Sequence, residues 1–273
     1  MQYRGAAFWQ TCAALAAVVS GYAHAASAMS ANGWPGPQGD TWDSIKLLPD
    51  WSGAWGLDDD SFRQLREAAA APVGNPNVPL LTPEFEKIRY TNNIINGGQG
   101  PDGKGVPTNS AKCIPDGMPL IMTAAYAHEY LFTPGLVTII VEDNEIRRVH
   151  TDRRAHPEDP DLTFEGDSVG HWEGQTLVVD TVALKSRAML VVGVHITEGT
   201  HVIERMTRIG PRTMRIETTV MDPRMFKVPY RYVRTYQRSD AGMVEYFCTE
   251  NNRDSNSGEI DLTPPPVAQP AEE

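Results

Sequence analysis

The chain has few of the short signatures that name a reaction. It contains no P-loop string ending in Gly-Lys-Ser/Thr and no His-Glu-x-x-His. Those absences argue against nucleotide-driven chemistry and against a zinc protease. Positive charge is scarce: 24 Lys and Arg stand against 35 Asp and Glu, a net charge of -11. That balance disfavours nucleic acid and anionic membrane surfaces as partners. Cysteine is scarce too, with three in 273 residues. No segment beyond the first 25 residues is apolar for long enough to span a bilayer, so membrane insertion is not expected.

The first 25 residues read as a secretory signal peptide. Arg4 lies in a short polar start, an apolar run extends from Ala6 to Val19, and Ala23-His24-Ala25 is a small-x-small cleavage signal. Cleavage after Ala25 would leave an exported protein, periplasmic or secreted, and would remove Cys12. Cys113 and Cys248 remain as one pair in an oxidising compartment, which reads as a structural disulfide. Neither has the close Cys or His neighbours of a metal thiolate site, and no motif supports a catalytic thiol.

Residues 26–49 are rich in Gly, Pro and Ala, an extended lead-in to a single domain over 50–253. Residues 50–55 suggest a first strand. The Ala-rich segment 58–71 suggests a surface helix, and Thr82-Pro83 opens a second with Glu84 and Glu86 in its first turn. Residues 96–112 read as loop. After Cys113 the pattern becomes β. Alternating segments are expected at Leu136–Val141, Glu145–Thr151, Gly166–Thr181, Val202–Ile209, Thr213–Met221, Tyr230–Arg238 and Met243–Cys248, joined by tight turns. About eight such strands predict an antiparallel meander closing into a barrel. The tail 254–273 is polar and Pro-rich, as disordered segments are.

Three polar clusters are candidates for chemistry. In the first, Arg148, His150 and Asp152 alternate to one face of a strand, with Arg154 and His156 following. That face is either solvated or holds a ligand. In the second, His195, Glu198, His201 and Glu204 recur every three residues, followed by Arg205. This spacing suits a divalent metal on a helical turn, but a strand would turn His201 and Glu204 to opposite sides. Acid–base or hydrogen-bonding roles for His195, His201 and Glu204 then compete with the metal. In the third, Tyr246, Cys248 and Glu250 alternate, with Asn251 beside them, as turn chemistry or as oriented donors and acceptors at a barrel mouth.

These blocks recur in an order that resembles a widespread family of exported bacterial proteins of mostly unassigned function. The matching stretches are Asp50–Trp55, Cys113–Pro119, Arg148-x-x-x-Asp152-x-Arg154-x-His156-Pro157, Gly166–Thr181, His201–Arg205 and Tyr246-x-Cys248-x-Glu250-Asn251-Asn252. The resemblance implies a lipocalin-like, calycin-type barrel and an exported protein, and brings no agreed reaction. Arg153 departs from the pattern, standing where the Asp-Gly-Arg turn has Gly.

The expectation is therefore a cofactor-independent acid–base enzyme of the lyase, hydratase or isomerase kind. His201 with Glu204, or His171 with Asp180, would move protons, and Arg148 or Arg205 would hold negative charge. Trp51, Trp55, Trp172, Tyr126, Tyr130, Phe132 and Tyr246 suggest a small hydrophobic or aromatic ligand. The alternatives are a non-catalytic ligand-binding barrel and a metal-dependent hydrolase. The sequence specifies no oligomeric state. The stretch GDSVGHWEGQTLVVDT is the sharpest test. A two-residue Glu173-Gly174 loop puts His171 on the face of Asp180, and a three-residue loop separates them.

Overall fold

A computed structural model describes residues 36–70, 79–91, 109, 113–123, 126–191 and 194–247. The expected signal peptide, the loop 96–108, Cys248, Glu250, Asn251 and the tail lie outside the described residues. Among the described residues the helices are α1 (Trp42–Ile45), α2 (Asp59–Ala70) and α3 (Pro83–Thr91), with a 3-10 turn at Leu120–Met122. The strands are β1 (Ala54–Leu57), β2 (His128–Thr133), β3 (Leu136–Val141), β4 (Ile146–His150), β5 (Asp167–Glu173), β6 (Thr176–Val182), β7 (Met189–Val191), β8 (Val194–His195), β9 (His201–Gly210), β10 (Thr213–Met221) and β11 (Tyr230–Ser239).

Nine of these strands close into a barrel in the order β1-β11-β10-β9-β6-β5-β4-β3-β2, while β7 and β8 form a separate ribbon. The mainly β barrel expected from the alternation is what forms. Eight of its nine strand contacts are antiparallel, and the last is the junction of β4 with β5. That last junction is parallel and short, Val149↔Ser168 and His150↔Val169, because sixteen residues of loop reverse the chain between them.

One expected hairpin does not form. Residues 243–247 are not strand, and β11 instead pairs with β10 on one side and β1 on the other. With both edges of β11 used, the following segment has no ladder to join. It crosses to the β3–β4 turn, where the Val244 amide donates to Glu142 and Asn144 Nδ2 donates to the Tyr246 carbonyl.

The decisive hairpin has its own register. Glu173 pairs with Thr176, Trp172 with Leu177 and His171 with Val178. The turn is thus Gly174-Gln175, one residue beyond the two-residue loop expected. Gly174 has φ +63°, which a type II′ turn requires at its first central position. A shift of one residue in both arms preserves the faces. His171 still shares a face with Asp180, and Trp172 points inward with Leu177 and Val179.

Inward residues along each strand alternate with outward ones, as β10 shows over Met214, Ile216, Thr218 and Val220. At the end bearing the β2–β3, β5–β6 and β9–β10 turns, Trp51, Trp55, Trp172, Tyr130 and Phe132 fill the barrel. Trp51 sits 5.1 Å from Trp172 and 5.2 Å from Tyr130, centroid to centroid. The lead-in closes this end: Gln38 is buried and holds the Trp172 backbone at both its carbonyl (3.0 Å) and amide (2.8 Å). The opposite end is covered by Leu81 and Phe85 of the α3 segment, Met118 to Met122, Leu190, Val194, Ile196, Met225 and Phe226.

Candidate functional site

Five side chains from four segments join in one chain of hydrogen bonds on the outer face of β5, β6 and β9. His201 Nε2 donates to Asp180 Oδ1 at 2.6 Å. His156 Nε2 reaches the same oxygen at 3.3 Å, and His156 Nδ1 reaches Asp167 Oδ1 at 2.6 Å. Arg154 completes the chain on the other oxygen of Asp167. The strands fix three members. Asp167 opens β5, Asp180 lies near the end of β6, and His201 opens β9, at neighbouring positions across the ladder. The loop after β4 supplies Arg154 and His156. Its turn places Arg153 in the left-handed region, at φ +67°.

Protonation follows from the geometry. A carboxylate only accepts, so both ring nitrogens of His156 carry hydrogen and the ring is an imidazolium. Burial opposes that charge, yet the bonds to Asp180 and Asp167 outweigh it and raise the His156 pKa. Burial would likewise raise Asp180, but its bonds from His156 and His201 hold it down to about 2. Asp180 is therefore a fixed carboxylate that orients two imidazoles. His201 is the ring with only one nitrogen committed to the relay, and its side chain is 29% exposed against 7% for Asp180. Val169 and Ile203 pair with Asp180 on either side and flank it with apolar surface.

The other candidates fall elsewhere. His171 shares this face but bonds to Glu173 at 3.2 Å rather than to Asp180, and burial lowers its pKa. Arg205 pairs with Glu173 at 2.8 Å on the exposed part of the same face. Arg148 and His150 point outward on β4, with Arg148 in solvent. Asp152 accepts from the Arg154 amide, in the turn. His195 lies on the β7–β8 ribbon, where burial and Arg187 lower its pKa. Trp172 belongs to the apolar core rather than to a binding surface. Tyr246 lines a small recess with Cys113, Ile114, Pro115, Asp143, Asn144 and Glu145.

Glu204 corrects the pairing expected with His201. It faces into the barrel and is fully buried, while His201 faces out, because they stand three residues apart on one strand. The spacing His195, Glu198, His201, Glu204 is not carried on one element either: His195 lies on β8, Glu198 in the turn before β9, and only His201 and Glu204 share a strand. No group of three or more metal-binding side chains converges among the described residues.

Glu204 belongs to a polar band inside the barrel that the sequence reading missed. Arg147, fully buried on the inner face of β4, donates to Glu204 at 2.5 Å and to Thr181 at 2.9 Å, and reaches Ser168 at 3.3 Å. The signal was present: Arg147 shares its face with Val149, so it is Arg147 and not Arg148 that turns inward. His128, Tyr130, Tyr232, Arg234 and Tyr236 also point inward around this pair. Ser168 stands in Gly166-Asp-Ser-Val-Gly170, which has the spacing of a hydrolase nucleophile elbow. It lies within a strand, 1% exposed, and shares hydrogen bonds with Thr181 and Arg147, so it is a structural hydroxyl. A second string, Gly98-Gln-Gly-Pro-Asp-Gly103, has dinucleotide-loop spacing and lies outside the described residues.

No family model, curated protein or solved structure matches the chain. Fold and site together define a class: a mainly β protein built on a closed nine-stranded barrel, carrying a histidine–carboxylate relay on its outer wall.

Proposed function

We propose that the protein is an exported small-molecule enzyme that works by general acid–base chemistry of the lyase, hydratase or isomerase kind, with His201 as the proton-moving group. The observation that carries this reading is the convergence of Arg154, His156, Asp167, Asp180 and His201, from segments far apart in sequence, on one half-buried imidazole. Asp180 holds His201 in one tautomer and would stabilise its charged form after it takes a proton. His156 and Arg154 neutralise the two carboxylates, so the site does not depend on solvent to balance its charge. Arg205 lies four residues along β9 from His201, about 13 Å at a strand's rise. It suits a remote anionic group of a substrate rather than charge developing at the reacting atom. Kinship with the exported family rests on the same sequence blocks, three of which supply the relay. Export rests on the sequence of residues 1–25. The Cys113–Cys248 disulfide is supported by Tyr246, which lies beside Cys113 two residues before Cys248.

A panel of small hydrophobic and aromatic compounds, incubated with the protein and followed by mass spectrometry, separates catalysis from carriage. For any compound consumed, His201→Ala should lower kcat/KM by about a hundredfold or more. Turnover within about threefold of wild type in that variant rejects the reading. The rival reading, a non-catalytic ligand-binding barrel, draws on the interior polar band and predicts a ligand returned unchanged.

A further inference from the structure

We infer that the barrel interior is a binding site for a small carboxylate that also carries a hydroxyl group. It is separate from the relay, because the sheet wall stands between them, and it does not depend on His201 moving protons. Five polar atoms on the inner face have no hydrogen-bond partner: Tyr130 Oη, His128 Nδ1, Arg147 Nη1, Glu204 Oε1 and Arg234 Nε. They come from β2, β4, β9 and β11, on residues between 0% and 6% exposed. Buried polar groups of this kind are nearly always satisfied, and each one left alone is costly. Five on one inner face call for a guest with matching groups.

Charge decides its class. Among the described inward residues of the band, Arg147 and Arg234 are cations and Glu204 is the one carboxylate, a surplus of one positive charge. His128 does not alter it, since burial brings its pKa down to about 4 and leaves the ring neutral. Arg234 has no carboxylate partner. It donates to the Val233 carbonyl at 2.9 Å and lies 5.0 Å over the Tyr232 ring. An anion satisfies the cation that Glu204 does not, and a carboxylate matches the guanidinium and phenol donors. Glu204 Oε1 and His128 Nδ1 are acceptors. His128 Nε2 lies 3.0 Å from the Ile121 carbonyl, so Nε2 carries the hydrogen and Nδ1 the lone pair. Those two need a donor, which a hydroxyl supplies. The surrounding Tyr130, Tyr232 and Tyr236 rings favour an aromatic frame between the two groups.

The test uses 4-hydroxybenzoate, with benzoate as the probe lacking the hydroxyl and 4-hydroxybenzyl alcohol as the probe lacking the charge. Calorimetric titration and tryptophan fluorescence read binding. 4-Hydroxybenzoate should bind, and the alcohol should bind at least about tenfold more weakly. Arg234→Met should weaken 4-hydroxybenzoate by about tenfold or more, and Tyr130→Phe, which changes one hydroxyl and keeps the ring, by about threefold. His201→Ala should leave binding unchanged, so a failure of the relay reading and a failure of this one are distinguishable. No binding of either carboxylate, equal binding of the alcohol, or wild-type affinity in both Arg234→Met and Tyr130→Phe would overturn the inference. If Arg234→Met does not fold by circular dichroism, Tyr130→Phe and the alcohol control decide.

Discussion

Glu204→Gln removes one charge from the interior and changes almost no volume. Arg147 and Glu204 are both fully buried and 2.5 Å apart. The glutamine leaves the Arg147 guanidinium without its counter-charge, and breaking such a buried pair costs about 3–5 kcal/mol. Arg147 keeps its bonds to Thr181 and Ser168, so the lower part of that range applies, about 3 kcal/mol. For a domain of this size, that corresponds to a drop in Tm of about 6–12 °C. Arg147→Met should cost more, about 4–5 kcal/mol, since Glu204 then keeps no strong donor. The double variant Arg147→Met/Glu204→Leu should recover most of the loss, because an apolar pair of similar volume needs no compensation. Urea unfolding at constant m checks each variant. The reasoning fails if Glu204→Gln stays within about 1 kcal/mol of wild type, or if the single losses simply add in the double.

Asp180→Asn should cost about 2 kcal/mol at neutral pH, from a carboxyl held near 2 against its ordinary 3.8. The sign follows from the depression: this stability is present above the ordinary carboxylate pKa and is lost as pH falls towards 2. Wild type should therefore lose urea resistance more steeply than Asp180→Asn between about pH 5 and pH 2, and parallel slopes would refute the assignment. His156 acts in the opposite sense, its raised pKa giving stability that fades as pH rises through that raised value. Gly166→Ala should be severely destabilising, with φ +72° and a new Cβ 2.5 Å from the Val182 carbonyl, whereas Arg153→Gly, which relieves a left-handed arginine, should hold or raise Tm.

The sequence made the barrel legible wherever alternation and a turn signal coincided, as in β3, β9 and β10. It did not reveal β1 closing on β11, because residues 54 and 239 are joined by no local signal. Strand β2 was missed for a related reason: its run from His128 to Thr133 mixes charge with aromatics and hides its period. In the site, His201, Asp180, Arg154 and His156 were legible as residue types, and Asp167 was read only as part of the Gly166–Thr181 segment. What joins them is the pairing of β5, β6 and β9, which a single sequence does not specify. Glu204 and Arg147 show the converse. Their inward direction follows from alternation with Val202, Met206 and Val149, yet ionic side chains are discounted as core until a partner for each is known.

Four residues complete the barrel. β1 bridges β11 and β2, and its partners lie 75 and 185 residues further along the chain, at Ala54↔Glu129 and Ala54↔Ser239. Until residues up to 239 have left the ribosome, the chain is an open sheet with two unpaired margins, each a template for another strand. A C-terminally truncated chain lacking β11 would thus offer open edges that the closed barrel does not have.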